Sequence, residues 1–398
     1  MRDDPQRTPV LVVGGGIGGM AAALALNQVG HPVTVIEQAQ EIGEIGAGIQ
    51  LGPNAFTAMD ALGVGERARK RAVYVDNLIM TDAVDGTTVA NVEVQEPFRK
   101  RFGNPYAVIH RADIHTSIYE EVRERPGITV HTSSRIEKVE LQSGGARLTD
   151  QNGKTYQGAA VVGADGGRSV MRRVLVGDGH RVSGHVVYRA VVPHDEMPPD
   201  LRWNAASIWV GPDGHVVHYP LRGGEMYNLV VTFHSRDPEE WGVREGSREE
   251  VLSYFGEFGP RPRELLAKPT SWKRWSTADR DPLERWGKGR STLLGDAAHP
   301  MLQYLAQGAC MALEDAVTLR EALLRADGDL EAGLRLYESK RIVRTARVVL
   351  GAREMGRLYH VKGVERLVRN SLWRGRSQER FYDALEWLYG WTAAKCLD

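Results

Sequence analysis

The chain has 398 residues, 42% of them hydrophobic and 26% charged, which leaves room for two domains with cores of their own. Fifty-one Lys and Arg balance fifty-one Asp and Glu, so no global field favours nucleic acid or an anionic membrane, and small neutral or anionic ligands stay open. Cys310 and Cys396 are the only cysteines, too few for a disulfide framework or a thiolate metal site; a reducing cytoplasm and no metal are expected. The opening MRDDPQRTPV lacks the basic and apolar regions of a signal peptide, and no apolar run reaches ~18 residues, so neither export nor a membrane span is expected.

Residues 10–37, VLVVGGGIGGMAAALALNQVGHPVTVIE, read as strand, glycine turn, helix and second strand. In Gly14-x-Gly16-x-x-Gly19 the first glycine permits the tight turn, the second lets backbone approach a pyrophosphate, and the third lets helix pack on strand. The helix start then offers N–H groups to phosphate, and Glu37, 18 residues past Gly19, is placed to accept from an adenosine ribose. NAD and FAD share this fingerprint, so it fixes a dinucleotide without saying which.

A second strand-then-turn unit, AAVVGADGGRSVMRRVL (159–175), carries Asp165 and Gly166; read alone, such a pair is an ordinary turn. From about Tyr188 to Trp286, runs such as SIWVG, HVVHYPL and YNLVVTF alternate with Gly/Pro turns and predict an antiparallel sheet. Within GPDGHVVHYPLRGGEM (211–226), His215, Val217 and Tyr219 share one strand face and His218 points the other way. A histidine titrates close to neutral pH and can serve as a general base; a hydrogen-bonded core histidine is the other reading of His215.

The stretch LLGDAAHPMLQYLAQGACMALEDA (293–316) again pairs a buried strand with a glycine turn and a helix. Asp296 can accept from sugar-alcohol hydroxyls, and the turn at Gly308 opens a helix whose N–H groups face an anion or carbonyl. Read alone, Asp296 is equally a helix cap. Cys310 reads as small packing rather than a redox thiol. Beyond about Gly328 the pattern is helical and Arg-rich through Trp391. Its segment ERLVRNSLWRGRSQERFY predicts a solvated helix or subunit contact, since a neutral chain without a reading motif argues against nucleic acid.

Together and in this order, GxGxxG with its distal Glu, GADG-RS, and LLGDAAHP followed by a Gly/Ala-rich helix with Glu314-Asp315-Ala316 resemble the single-component flavin-dependent aromatic hydroxylases. The resemblance implies FAD, with Gly14, Gly16, Gly19 and Glu37 at its ADP half and Asp296 on the ribityl hydroxyls. It places Asp165 and Gly166 near both FAD and an incoming nicotinamide cofactor, and Gly308 in the ribityl motif's glycine turn. Arg111, in HRADIH (110–115), becomes a flavin contact, and the loop EIGAGIQLGPNA (44–55) passes beside the isoalloxazine, where Gly46, Gly48 and Gly52 suit close backbone approach.

The implied fold is α/β and p-hydroxybenzoate hydroxylase-like: a Rossmann-type FAD-binding domain interwoven with an antiparallel β-sheet substrate domain, plus C-terminal helices. The FAD-binding domain is expected over 1–75, 101–185 and 286–330, the substrate domain over 76–100 and 186–285, and the helical region over 331–398.

The run from His215 to Met226, with HPMLQYLAQGACMA, RLVRNSLWR and WLYGW, is similar over nearly the whole chain to the 3-hydroxybenzoate 6-hydroxylases. That similarity implies His215 as base, Gln303 orienting the phenol, Tyr219 bonding the substrate, and a structural His299. It implies NADH and O2 as co-substrates, a flavin hydroperoxide attacking a phenolate, gentisate as product, and a homodimer. Salicylate and 6-hydroxynicotinate hydroxylases share the three motifs. An NAD-linked dehydrogenase would use only the first motif, leaving those at Asp165 and Asp296 unexplained, and a non-catalytic flavin-binding module would not need the polar set of the β-rich segment.

Overall fold

The Val/Leu run Val10–Val13 is buried at all four positions and lies at the centre of a five-stranded parallel sheet. The sheet order is Ser291–Leu293, Ala160–Gly163, Val10–Val13, Val33–Ile36, Ile128–His131. Such strands read as unbroken apolar runs because both faces are covered. The computed structural model describes residues 8–43 and 48–398. The helix Ile17–Gln28, apolar on every side over its first ten residues, lies against the helix Gly308–Arg325, as an all-apolar helix must when enclosed. A three-stranded antiparallel sheet (Ile136–Gln142, Gly145–Asp150, Thr155–Gly158) adds Ile136, Ala146, Leu148 and Tyr156 to the same core.

Ser291–Leu293, Ala160–Gly163 and Val10–Val13 are adjacent and parallel. The turns that leave their carboxyl ends, at Leu294–Asp296, Ala164–Gly166 and Gly14–Gly16, therefore emerge side by side, where ligands bind in open α/β sheets.

The second sheet has eight strands in the order Gly242–Gly246, Trp272–Asp279, Arg181–Pro193, Met226–His234, Gly214–Leu221, Ala205–Gly211, Asn77–Asp82, Thr88–Glu93. Neighbours run antiparallel except Ala205–Gly211 with Asn77–Asp82, which are parallel. That departure from the expected antiparallel sheet arises where the hairpin of residues 77–93 joins strands from much later in the chain. The strand Arg181–Pro193 starts ahead of Tyr188, and its ladder with Trp272–Asp279 slips between Val182 and Val186, where Gly184 has φ 77. A bulge of this kind breaks the period-two pattern that sequence reading depends on.

A small antiparallel sheet, Gly48–Leu51 and Val73–Tyr74 on either side of Ala107–His110, delivers Gly48 and Arg111. The helices Leu330–Tyr359, Gly363–Trp373 and Gln378–Tyr389 follow, the first and last opened by side-chain caps from Asp329 and Ser377. Tyr382 and Tyr389 of the last helix pack edge-on against Phe98, at 5.6 and 6.0 Å between centroids. Among the described residues no helix is long and apolar enough to cross a membrane.

Candidate active site

Between the two sheets lies a cavity of about 1170 Å³, beyond the ~300–1,000 Å³ typical of one drug-sized ligand. Gly14, Gly16, Glu37, Gly48, Arg111, Asp165, Gly166, Asp296 and Gly308 all line it, and so do His215, Tyr219 and Gln303. Gly19 does not line it; a Cβ there would fall 1.9 Å from the Gly14 carbonyl oxygen. Its role is to let the turn close on itself. Gly14 has φ +105, and a Cβ on it would meet Ala164 O at 2.4 Å, so the first and second turns touch through a glycine.

The helix Ile17–Gln28 has no side-chain cap at Gly16, which leaves its first N–H groups facing the cavity. Glu37 is pinned at the rim, its carboxylate accepting from Gly15 N at 2.6 Å and from Ala39 N at 2.7 Å. Asp165 lines the cavity and also holds the helix that follows it. Its carboxylate accepts from Ser169 Oγ, Val170 N and Met171 N and so caps the helix Val170–Leu175, while burial pushes its pKa up despite those bonds.

At the third turn, Gly295 has φ 61, and Asp296 is exposed and accepts no hydrogen bond among the described residues. Behind it runs a buried ion network that local sequence reading missed. Asp315 accepts from Gly295 N at 3.0 Å, His299 Nε2 at 2.6 Å and Arg341 Nε at 2.6 Å. Burial would raise the Asp315 carboxyl, but His299 and Arg341 hold it down to about 2. Glu314 accepts from Arg341, Arg344 and Asn54. The helix Gly308–Arg325 also lacks a side-chain cap, and its first residues line the cavity. Two bare helix starts thus face one space.

The eight-stranded sheet forms the opposite wall. Met80, Ile208, Val217, Val230 and Arg189 occupy one row across five strands and all line the cavity. His215, on the same face, is 3% exposed, and burial, with His185 nearby, pulls its pKa down to about 3. Its cross-strand neighbour Thr232 accepts from Gln303 Nε2 at 3.3 Å, which brings Gln303 beside His215. Tyr219 packs against Gly48, where a Cβ would come within 2.6 Å of its ring; burial raises its pKa, and its hydroxyl has no hydrogen bond among the described residues. His218 lies on the far face, with its ring stacked 6.4 Å from Trp203. Gly46 falls outside the described residues, and Gly52 packs against Tyr389.

Arg189 was not singled out from sequence, because the bulge before it hides the alternation. It makes no hydrogen bond or ion pair among the described residues. Its guanidinium lies 5.7 Å from the Trp275 ring centroid, and burial lowers its pKa.

The family model described as "FAD binding domain" matches residues 7–352. The 3-hydroxybenzoate 6-hydroxylase of Polaromonas naphthalenivorans (strain CJ2) is 61% identical over 397 residues, covering 100% of this chain and 99% of that protein. The chain belongs to the FAD-dependent aromatic hydroxylases. Among solved structures, a salicylate hydroxylase substrate complex superposes with a TM-score of 0.84 at 27% identity, over 99% of this chain and 98% of that one. Klebsiella pneumoniae HpxO complexed with FAD and uric acid also superposes at 0.84, with 26% identity over 96% and 97%. The cofactor of this hydroxylase family is FAD, and the residues here fit it: a glycine cradle, two uncapped helix starts for anionic or carbonyl oxygens, and Asp296 as a free acceptor for sugar hydroxyls.

Proposed function

We propose that this hydroxylase converts 3-hydroxybenzoate to gentisate (2,5-dihydroxybenzoate), inserting oxygen para to the hydroxyl with NADH and O2 as co-substrates. The observation that carries the reading is the wall itself: a base and a phenol on one sheet face, with the amide of Gln303 bonded to that face through Thr232, opposite the flavin-type turns, in a chain 61% identical to a 3-hydroxybenzoate 6-hydroxylase.

When bound, FAD supplies the redox and oxygen-transfer chemistry. The protein's own residues prepare the substrate. His215 Nδ1 lies 2.8 Å from His360 Nε2, which leaves His215 Nε2 to accept the phenol proton, and the resulting phenolate is electron-rich at its ortho and para carbons. Gln303, steadied by Thr232, orients the phenol oxygen, and the Tyr219 hydroxyl bonds the substrate. Arg189 stands two strands from Val217 in the same row, about 10 Å away at ordinary strand spacing, and its long side chain gives the carboxylate a counter-charge. Met80, Ile208, Val217 and Val230 form an apolar floor that excludes water from the reacting atoms.

The retained roles of Gly14, Gly16, Gly19, Glu37, Gly48, Arg111, Asp165, Gly166, Asp296 and Gly308 in holding FAD belong to the same reading, with Asp165 acting through the helix it caps. So do the interwoven domain boundaries, a cytoplasmic location and a homodimer. For the dimer, Val364, Leu367, Val368 and Leu372 form an exposed stripe, each more than half exposed, on the helix Gly363–Trp373; sedimentation would read the assembly.

The test is to follow NADH and O2 consumption by the purified yellow protein with 3-hydroxybenzoate, salicylate and 6-hydroxynicotinate, and to identify each product. Gentisate from 3-hydroxybenzoate alone is expected. Catechol from salicylate, with 3-hydroxybenzoate untouched, would move the reading to the salicylate hydroxylases.

A further inference from the structure

Behind the substrate wall, four histidines from distant segments meet. His185 and His234 are register partners on neighbouring strands, His215 comes from the next strand, and His360 from the turn that follows the helix Leu330–Tyr359. The His215 and His360 rings stack at 5.1 Å between centroids, and His215 Nδ1 is 2.8 Å from His360 Nε2. In parallel, the Tyr304 hydroxyl is 2.6 Å from His185 Nδ1.

His215 and Tyr304 line the cofactor cavity, whereas His360, His185 and His234 line a second cavity of about 530 Å³. Exposed Arg181, Asp213, Lys362 and Glu365 form the rim of this outer cavity, and His234 is itself exposed. Two hydrogen bonds therefore cross the partition between the cofactor cavity and the outer one. No group of three His, Cys, Asp or Glu side chains among the described residues is arranged to hold a metal ion, so the cluster is not a metal site.

A phenol that ionises in a water-excluded site must send its proton somewhere. We propose that His360 is a relay residue, acting through His215, that carries the substrate's phenolic proton to water in the outer cavity. The proposal rests on the hydroxylase reading above. The phenol O–H bond breaks as His215 Nε2 takes the proton; the Nδ1–H of His215 passes to Nε2 of His360; the Nδ1–H of His360 leaves to water. Each ring gains one proton and gives one, so both finish neutral in the opposite tautomer, and the reverse shift resets them after the phenol of the product is reprotonated. Burial supports this route: it holds His215 down to about 3 and His360 well below its ordinary value, so neither ring stores the proton and each transmits it.

His360→Gln tests the relay, because its amide oxygen can still accept from His215 Nδ1 but the side chain cannot pass a proton on. Gentisate formation should fall by about 10²-fold, the scale of a lost acid–base step, with flavin absorbance and 3-hydroxybenzoate affinity unchanged. His360→Ala should fall as far and recover with added imidazole, which reaches the vacated position from the outer cavity. A His360→Gln enzyme at the wild-type rate, or a slow His360→Ala enzyme that imidazole does not rescue, overturns the proposal. Should either variant fail to fold, the wild type decides: the rate of phenolate formation in H2O–D2O mixtures should give a bowed proton inventory, and a linear one refutes a multi-proton relay. Wild-type protein that makes no gentisate sinks the substrate reading as well, whereas gentisate from a fully active His360→Gln enzyme sinks the relay alone.

Discussion

Arg189→Met separates the two faces of a half-buried charge. In the free protein Arg189 has no hydrogen bond or ion pair among the described residues, only the Trp275 ring at 5.7 Å, and burial already lowers its pKa. Replacing it with a side chain of similar length should leave the unfolding midpoint unchanged or raise it, because a desolvated charge is removed. With a carboxylate substrate bound, the sign reverses. The substrate's carboxylate is left without a counter-charge in a water-poor site, a loss of about 3–5 kcal/mol. At 1.4 kcal/mol per factor of ten, that is roughly 150- to 4,000-fold in kcat/KM. The assay is product formation from 3-hydroxybenzoate and from its neutral amide, 3-hydroxybenzamide, by wild type and variant. The acid should lose its advantage and the amide should change little. An acid kcat/KM within about fivefold of wild type, or an equal fall for the amide, would refute the reasoning.

His215→Ala should keep its FAD while coupled turnover falls by about 10²–10⁴-fold and NADH oxidation yields peroxide instead; full coupled activity would remove His215 from the mechanism. Asp296→Ala gives up a charge-assisted hydrogen bond worth about 1.5–3 kcal/mol, so FAD retention through gel filtration should weaken about 10- to 150-fold, and undiminished yellow colour would contradict its role. Asp315, held at about 2 against an ordinary 3.8, contributes stability that is fully present above 3.8 and fades as pH falls towards about 2. Urea midpoints at mildly and strongly acidic pH should therefore drop less steeply in Asp315→Asn than in wild type, and equal slopes would show that the network does not titrate.

The nucleotide end was legible because its information is local: strand, turn, helix and acid sit within residues 10–37, and the steric reasons for Gly14 and Gly19 are met by Ala164 O and Gly14 O. The third motif was legible for the same reason. What escaped depends on contacts far apart in sequence. His215 meets His360 across 145 positions and Tyr304 meets His185 across 119, and no pattern along the chain marks such pairs. The bonds of Asp165 were equally invisible along the chain: a turn aspartate aimed only at a ligand and one that also holds the next helix share the same letters, and only the bonds to Ser169 Oγ, Val170 N and Met171 N reveal the second task. Arg189 was hidden by the Gly184 bulge, which shifts the alternation just ahead of it.

Arg344 joins early and late parts of the chain at one point. It donates to both Glu314 oxygens, beneath the Gly295 turn, and to the carbonyls of Trp387 and Leu388, while Leu385, Trp387, Leu388 and Tyr389 line the same cavity as Gly14. The glycine turn rests on Ala164 and its helix on Gly308–Arg325, so the cradle for the adenine half is itself assembled from segments far apart in the chain. The wall beside the flavin ring therefore depends on the last helix of the chain, and Arg344 ties that wall to the acid network beneath the third turn.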